Sequence, residues 1–229
     1  MTYLPKHFEE TDPATLHALV HEFPLATWVV PHQGELLVNH IPFLLDTDRG
    51  ENGTLIGHVA RANPVWKSLG RGKDGGDTND GGAGMGVAVF NGPQAYISPN
   101  WYPSKHETGK AVPTWNYTVV HAHGQARVVD DPQRLLQLLH RLTDQHESTQ
   151  AQPWRVSDAP PQYLEAMLKA IVYIEIPVQR WVGKWKISQN QTAENRHGAA
   201  NGLGRNPVAP SPSQAMADLV RQGSPSKRL

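Results

Sequence analysis

Three stretches carry residue types that could hold a ligand. In "VPTWNYTVVHAHG", Val112 to Gly124, two histidines stand two apart at the end of an alternating run. On an extended strand Trp115, Tyr117, Val119, His121 and His123 share one face, and Asn116, Thr118, Val120 and Ala122 share the other. Histidines at this spacing make half of a metal site, and such a site needs a third ligand. No Asp or Glu lies within the strand, "HETGK" is not an HExxH motif, and the chain has no cysteine. A metal is therefore not expected, and His121 and His123 read as part of a half-buried or interface surface. Thr114 and Asn116 are better suited to hydrogen-bonding a heterocycle with alternating donors and acceptors.

The second stretch is "GHVARANPVWK". Asn63 and Pro64 predict the cap and first position of a short helix, with Arg61 just before it. A helix N-terminus offers free N–H groups and partial positive charge, and a guanidinium fork matches phosphate. The same residues equally describe a capped helix beside an exposed arginine, which is the simpler reading of this stretch alone. The third stretch, "RWVGKWKISQN", alternates Arg180, Val182, Lys184, Lys186 and Ser188 against Trp181, Trp185, Ile187 and Gln189. One face is cationic, the other is largely aromatic, and no acidic residue lies between Pro177 and Ala193. This suits an anionic, aromatic ligand. It also suits an edge strand kept soluble by lysines, with its tryptophans in the core. GxSxG is absent and no closely spaced carboxylate pair sits in the candidate stretches, so acyl-enzyme and acid–base chemistry gain no support.

The elements that must position these residues are mostly strands. Asp12–Pro13 opens a helix to about Phe23. "LATWVV" and "ELLVNHIPFLLD" read as a hairpin, and "GTLIGHV" as a further strand. "GVAVFN" and "QAYISP", separated by Gly92–Pro93, read as a second hairpin. Residues 99–114 form a long loop of the kind that often carries function. The strand from Trp115 to Val129 follows. Asp131–Pro132 opens an amphipathic helix with Leu135, Leu138, Leu139 and Leu142 on one face. "PPQYLEAMLKA" is a shorter helix, "IVYIEIPV" and "RWVGKWKIS" are two strands, and "AENRHGAANGL" can hold a helix. Hairpins without βαβ alternation imply an antiparallel barrel or sandwich, mainly β with peripheral helices. Residues 70–86, "GRGKDGGDTNDGGAGMG", read as a flexible glycine-rich loop, and residues 204–229 as a loose tail.

The chain's 229 residues suit one large domain, and its 21 Lys plus Arg balance 21 Asp plus Glu. That balance lacks the basic surplus expected of a nucleic-acid binder. "MTYLPKHFEETD" has no signal-peptide apolar core, and no run approaches the ~20 apolar residues of a membrane span, so a cytoplasmic location is expected.

Together, "YLPKHF", "NHIPFLLD", "LIGHVARANPVW", "YISPNWYPSK", "GKAVPTWNYTVVHAHG" and "KWKISQNQ" resemble the PaiB-type family of FMN-binding "putative transcriptional regulators". They occur in the family's order from Tyr3 to about Leu203. The glycine-rich segment 70–86 departs from the family by its length. The resemblance implies an FMN-binding split β-barrel over residues 1–203, related to pyridoxamine-phosphate-oxidase-like flavoproteins. It also implies a homodimer with FMN at the subunit interface. On that basis the cofactor-binding set is His40, His58, Arg61, Asn63, Trp101, Thr114, Trp115, Asn116, Lys184, Lys186 and Gln189. Arg61–Pro64 would cradle the phosphate, with His58 and Arg61 as direct contacts. The "WYPSK" loop and Trp115–Asn116 would wall the flavin cleft, and Lys184, Lys186 and Gln189 would reach the cofactor from the C-terminal strand. The function implied is a flavin-dependent oxidoreductase or a flavin-responsive regulator that does not read DNA directly. A DNA-binding negative regulator and a haem-binding or haem-degrading split barrel are the alternatives. The sequence carries no substrate-specific motif.

Overall fold

The computed structural model describes residues 2–71, 84–205 and 210–222. Most of the expected glycine-rich loop, residues 72–83, lies outside them. The chain divides into two compact units. Unit one comprises Met1–Phe23, Val89–His121 and Trp181–Leu229, and unit two comprises Pro24–Ala88 and Ala122–Arg180.

Among the described residues ten strands run β1 (Glu9–Glu10), β2 (Leu25–His32), β3 (Glu35–Pro42), β4 (Leu44–Asp46), β5 (Thr54–Ala60), β6 (Gly70–Arg71), β7 (Met85–Ile97), β8 (Thr114–Gln125), β9 (Arg127–Val128) and β10 (Ile171–Lys186). Their hydrogen-bonded order is β3-β2-β7-β8-β10-β5-β4, with β1 and β9 also on β10 and β6 on β9. The helices are α1 (Pro13–Glu22), α2 (Pro103–Thr108), α3 (Pro132–Glu147), α4 (Pro161–Lys169), α5 (Ala193–Gly204) and α6 (Pro210–Gln222). Among the described residues no helix is long and apolar enough to cross a membrane.

Local chemistry sets the helix starts. The Asp12 carboxylate accepts from Thr15 N, and Asp131 accepts from Gln133 N and Arg134 N, each beside a proline at the first helical position. Between the two, β2 and β3 form the expected hairpin in the register Leu25↔Pro42 to His32↔Glu35.

Two expected breaks do not occur. β7 runs unbroken through Gly92–Pro93, and β10 runs unbroken from Ile171 to Lys186. Gly92 serves close approach here: a Cβ on it would lie 2.3 Å from Thr118 Oγ1 and 2.9 Å from Leu19 Cδ1. Bare backbone lets α1 and β8 close onto β7, and the glycine makes no turn. The 99–114 segment is also structured, with a 3₁₀ turn at Pro99–Trp101 and α2 ending at Gly109 in the left-handed region, φ 69°.

In unit two, α3 lays Leu135, Leu138 and Leu142 on Leu44, Ile56 and Tyr173. The Glu175 carboxylate is fully buried at the edge of this core. It accepts from Arg49 at 2.7 Å, Arg127 at 3.0 Å and Tyr173 Oη at 3.0 Å, with Arg134 at 3.6 Å. Burial opposes its ionisation, but the Arg49 and Arg127 bonds outweigh that and hold it below its ordinary value. Tyr173 is pushed up to about 12, by burial and then by the neighbouring Glu175 charge.

In unit one, the segment expected to be a loose tail contains α6, whose Met216, Ala217 and Val220 are fully buried. This corrects the expectation for residues 210–222. Apolar positions three to four apart give the helix one face to bury, and α5 offers Ala199, Ala200 and Leu203, all buried.

Candidate functional site

Unit one holds a polar cavity of about 540 Å³. One wall comes from residues 102–116, including Tyr102, Ser104, Lys110, Thr114 and Asn116. The other comes from residues 186–195, namely Lys186, Ser188, Asn190, Gln191 and Asn195. None of the lining residues is Asp or Glu.

Strand alternation explains the first wall. Asn116, Thr118, Val120 and Ala122 are all buried, while Trp115 on the opposite face is 55% exposed. Asn116 thus faces inward and donates Nδ2–H to Ser188 Oγ at 2.8 Å. Ser188 follows the end of β10 with φ 64°, a conformation uncommon outside glycine. That local turn brings its hydroxyl back toward β8. The Lys186 ammonium donates to Thr114 Oγ1 at the strand's start. Burial raises the Tyr102 phenol above its ordinary value, while the Ser188 hydroxyl beside it works the other way. Across the cavity, Asn195 at the start of α5 accepts from Ser104 N at 3.3 Å and donates to Ser104 Oγ at 2.8 Å.

Of the expected site residues, Thr114, Asn116 and Lys186 therefore meet at this cavity. Four others in unit one do not line it. Lys184 Nζ donates to Tyr3 O at 3.0 Å and lies 5.5 Å and 5.3 Å from the Tyr3 and Tyr117 ring centres. Gln189 spends its amide on the strand end, accepting from Ile187 N at 2.8 Å and donating to Trp185 O. Trp115 meets Tyr96 edge-to-face at 6.2 Å. Trp101 packs on α5. Lys184 is buried and flanked on β10 by both β1 and β8, so the soluble-edge-strand reading does not hold.

The remaining four belong to unit two. His40 is exposed on β3, opposite Thr27. His58 pairs opposite Tyr173, and its buried Nδ1 has no hydrogen-bond partner. Burial lowers its pKa, which favours the neutral ring. Asn63 is engaged at both ends, accepting from Val65 N at 3.0 Å and donating to Asn39 Oδ1 at 2.6 Å. It caps a five-residue 3₁₀ turn, Pro64–Ser68, in place of the expected helix.

Arg61 lines a cavity of about 600 Å³ floored by Leu135, Val172 and Tyr173. Its Nε and Nη2 donate to Lys169 O at 2.7 Å and Ile171 O at 3.0 Å, and its guanidinium lies over Trp66. Asp130, Asp131 and Glu165 line the same cavity. The arginine latches the end of α4, and Lys169 lines the cavity with it, so the lining is mixed in charge. At the expected phosphate cradle, Arg61–Pro64, the structure has a 3₁₀ turn in place of a helix terminus, and Nε and Nη2 of the guanidinium are bonded to backbone carbonyls.

Sequence reasoning missed most of the polar cavity's second wall. Ser188 and Asn190 sit in the polar run after β10, which is a local signal. Asn195 has no such signal, because only the docking of α5 brings it beside Ser104.

The fold is a mainly antiparallel split barrel with helices. An FAD- and haem-binding protein from Mycobacterium smegmatis aligns with a TM-score of 0.54 at 15% identity, over 78% of this chain and 73% of that one. Flavocytochrome Anf3 from Azotobacter vinelandii aligns with a TM-score of 0.54 at 14% identity, over 80% and 72%. In sequence, an uncharacterised protein of Emericella nidulans is 32% identical, with 96% of each chain covered. The Bacillus subtilis protein named protease synthase and sporulation protein PAI 2 is 28% identical, over 96% of this chain and 99% of its own length. Residues 2–180 match the family described as "Putative FMN-binding domain", and the chain belongs to that family.

Proposed function

We propose that the protein is an FMN-binding flavoprotein whose polar cavity in unit one receives the phosphate-bearing ribityl end of the cofactor. One observation carries this reading: Lys110 and Lys186 line a cavity rich in hydroxyls and amides that holds no carboxylate. A phosphate wants cationic and neutral donors and is repelled by carboxylates. Ribityl hydroxyls both donate and accept, which suits Ser104, Asn190, Gln191 and Asn195. A volume near 540 Å³ lies within the range of about 300–1,000 Å³ common to small-molecule sites.

The chain's part is binding and orientation. Lys186 is steered by Thr114, so its charge is placed before a ligand arrives. Asn116 is fixed by Ser188. With its ionisation pushed upward, Tyr102 remains a neutral donor at physiological pH. Bound FMN would supply two-electron redox chemistry, for which the protein provides position and charge. The functional classes this supports are a flavin-dependent oxidoreductase and a flavin-responsive regulator. Direct DNA reading is disfavoured by the equal numbers of acidic and basic residues.

A homodimer in the cytoplasm is the working form in this reading. The exposed aromatic pair Tyr96 and Trp115, with Val112 75% exposed nearby in sequence, offers unit one an apolar face for a second copy. The test is reconstitution of purified protein with FMN, FAD or haem, followed by absorption spectroscopy and light scattering. Saturable FMN bands on a dimer are expected. Preference for FAD, haem bands, or a monomer that retains no flavin would count against the reading.

A further inference from the structure

The family match ends at residue 180, yet Lys186, Ser188, Asn190, Gln191 and Asn195 of the cavity all lie beyond it. The helix that follows, α5, does more than close the chain. A Cβ on Gly198 would lie 2.0 Å from Trp101 O, and one on Gly202 would lie 2.2 Å from Trp101 Cδ2. The two glycines stand one turn apart, so α5 presents a bare strip against which Trp101 is seated in direct contact. Asn195, one turn earlier and buried, holds Ser104 by two hydrogen bonds and Gln191 by a third at 3.1 Å.

We infer that α5 is a positioning arm of the ligand site. Trp101 seated on Gly198 and Gly202, together with the Asn195–Ser104 bonds, sets the place of the cavity wall that carries Tyr102, Ser104 and Lys110. Trp101 directly precedes Tyr102, and α2 begins two residues later. Any shift of the indole passes through one or two peptide units to the phenol and hydroxyl of the cavity. The strand-borne wall, Thr114, Asn116 and Lys186, is fixed independently by sheet hydrogen bonds. Displacing the arm should therefore weaken a ligand that touches both walls while leaving the core folded. This rests on the polar cavity being the FMN site.

The test compares Gly202→Ala with Gly204→Ala on the same helix. A Cβ on Gly204 meets only ordinary contacts, Arg221 Nη2 at 3.5 Å and Gln214 Oε1 at 3.6 Å. FMN affinity is read by titration, and the setting of the indole by tryptophan emission. Gly202→Ala should lower FMN affinity at least tenfold and shift the emission, and Gly204→Ala should change neither. A second substitution, Trp101→Leu, in the Gly202→Ala background should recover part of the affinity by relieving the clash. Trp101→Leu alone, which empties the seat on the glycine strip without touching a lining residue, should weaken FMN severalfold and decides the matter if Gly202→Ala fails to fold. Unchanged FMN affinity in a folded Gly202→Ala, or in Trp101→Leu where Gly202→Ala does not fold, overturns the inference. Failure of the unsubstituted protein to bind FMN would instead overturn the site reading on which it depends.

Discussion

Asn116 on β8 donates to the hydroxyl of Ser188, 72 residues later, and both side chains are buried. The bond ties the wall strand to the turn after β10 and fixes an amide that faces the cavity. Asn116→Ala leaves the Ser188 hydroxyl without this partner in a buried setting, at a cost of about 1–3 kcal/mol. Denaturant melts should show that loss without ligand, and FMN titration should show weaker binding as well. Ser188→Gly keeps the left-handed backbone at no steric cost. It should therefore retain more stability than Ser188→Ala, which keeps the strain and loses the hydroxyl.

Lys186 and Arg61 give opposite expectations for the cofactor's phosphate. Lys186→Ala should weaken FMN by about 1.5–3 kcal/mol, the value of a hydrogen bond to a charged group, and weaken riboflavin much less. Arg61→Ala should lower thermal stability by freeing the carbonyls of Lys169 and Ile171, and should weaken FMN and riboflavin alike. A selective loss of FMN in Arg61→Ala would return the phosphate to unit two.

These contrasts show where sequence was informative. Capped helix starts such as Asp12–Pro13 and Asp131–Pro132 were legible because the signal and its partner lie within one turn. The two faces of β8 were legible because alternation is a local property, and Thr114 and Asn116 share the face that lines the polar cavity. Gly92–Pro93 misled because glycine marks both turns and close approaches, and only tertiary contact with Leu19 and Thr118 separates them. The carbonyl bonds of Arg61 were not legible for a related reason: a guanidinium fork fits helix-end carbonyls as well as phosphate, and the end of α4 is far away in sequence. Lys184 and Lys186 share a strand face, yet their roles part because Tyr3 captures one and Thr114 the other.

Glu175 predicts the acid limb of stability. Its folded-state pKa lies below the ordinary 4.5, with the Arg49 and Arg127 bonds overcoming burial. A depressed carboxyl contributes stability that is full above its unfolded value and is lost as pH falls through the folded value. The protein should therefore lose stability below about pH 5. Glu175→Gln should flatten that limb. At neutral pH the variant should be less stable by about 1–3 kcal/mol, because Arg49, Arg127 and Arg134 lose a shared counter-charge while staying partly exposed to water. Tyr173, pushed up to about 12, should contribute nothing to the profile near neutrality. Urea melts at a series of pH values check both, and an acid limb of equal slope in Glu175→Gln would assign it to other carboxylates.

The C-terminal helix gives the last prediction. A chain ending at Arg205 lacks α6 and with it the fully buried Met216, Ala217 and Val220. Burying one large apolar side chain is worth about 1.5–3 kcal/mol, and the facing Ala199, Ala200 and Leu203 of α5 would be newly exposed. Against this stands the entropy released when a 13-residue helix is no longer ordered, which cancels much of the gain. A net loss of about 2 kcal/mol remains, which lowers Tm by roughly 4–8 °C for a chain of this size. The loss should appear with or without FMN, because none of the cavity residues belongs to α6. It should also be reproduced in the full-length chain by Met216→Asp, which puts a charge into the α5–α6 contact without shortening the protein. A shortened chain that melts within about 2 °C of the parent, a change of under about 1 kcal/mol, would show that α6 adds little to the stability of unit one.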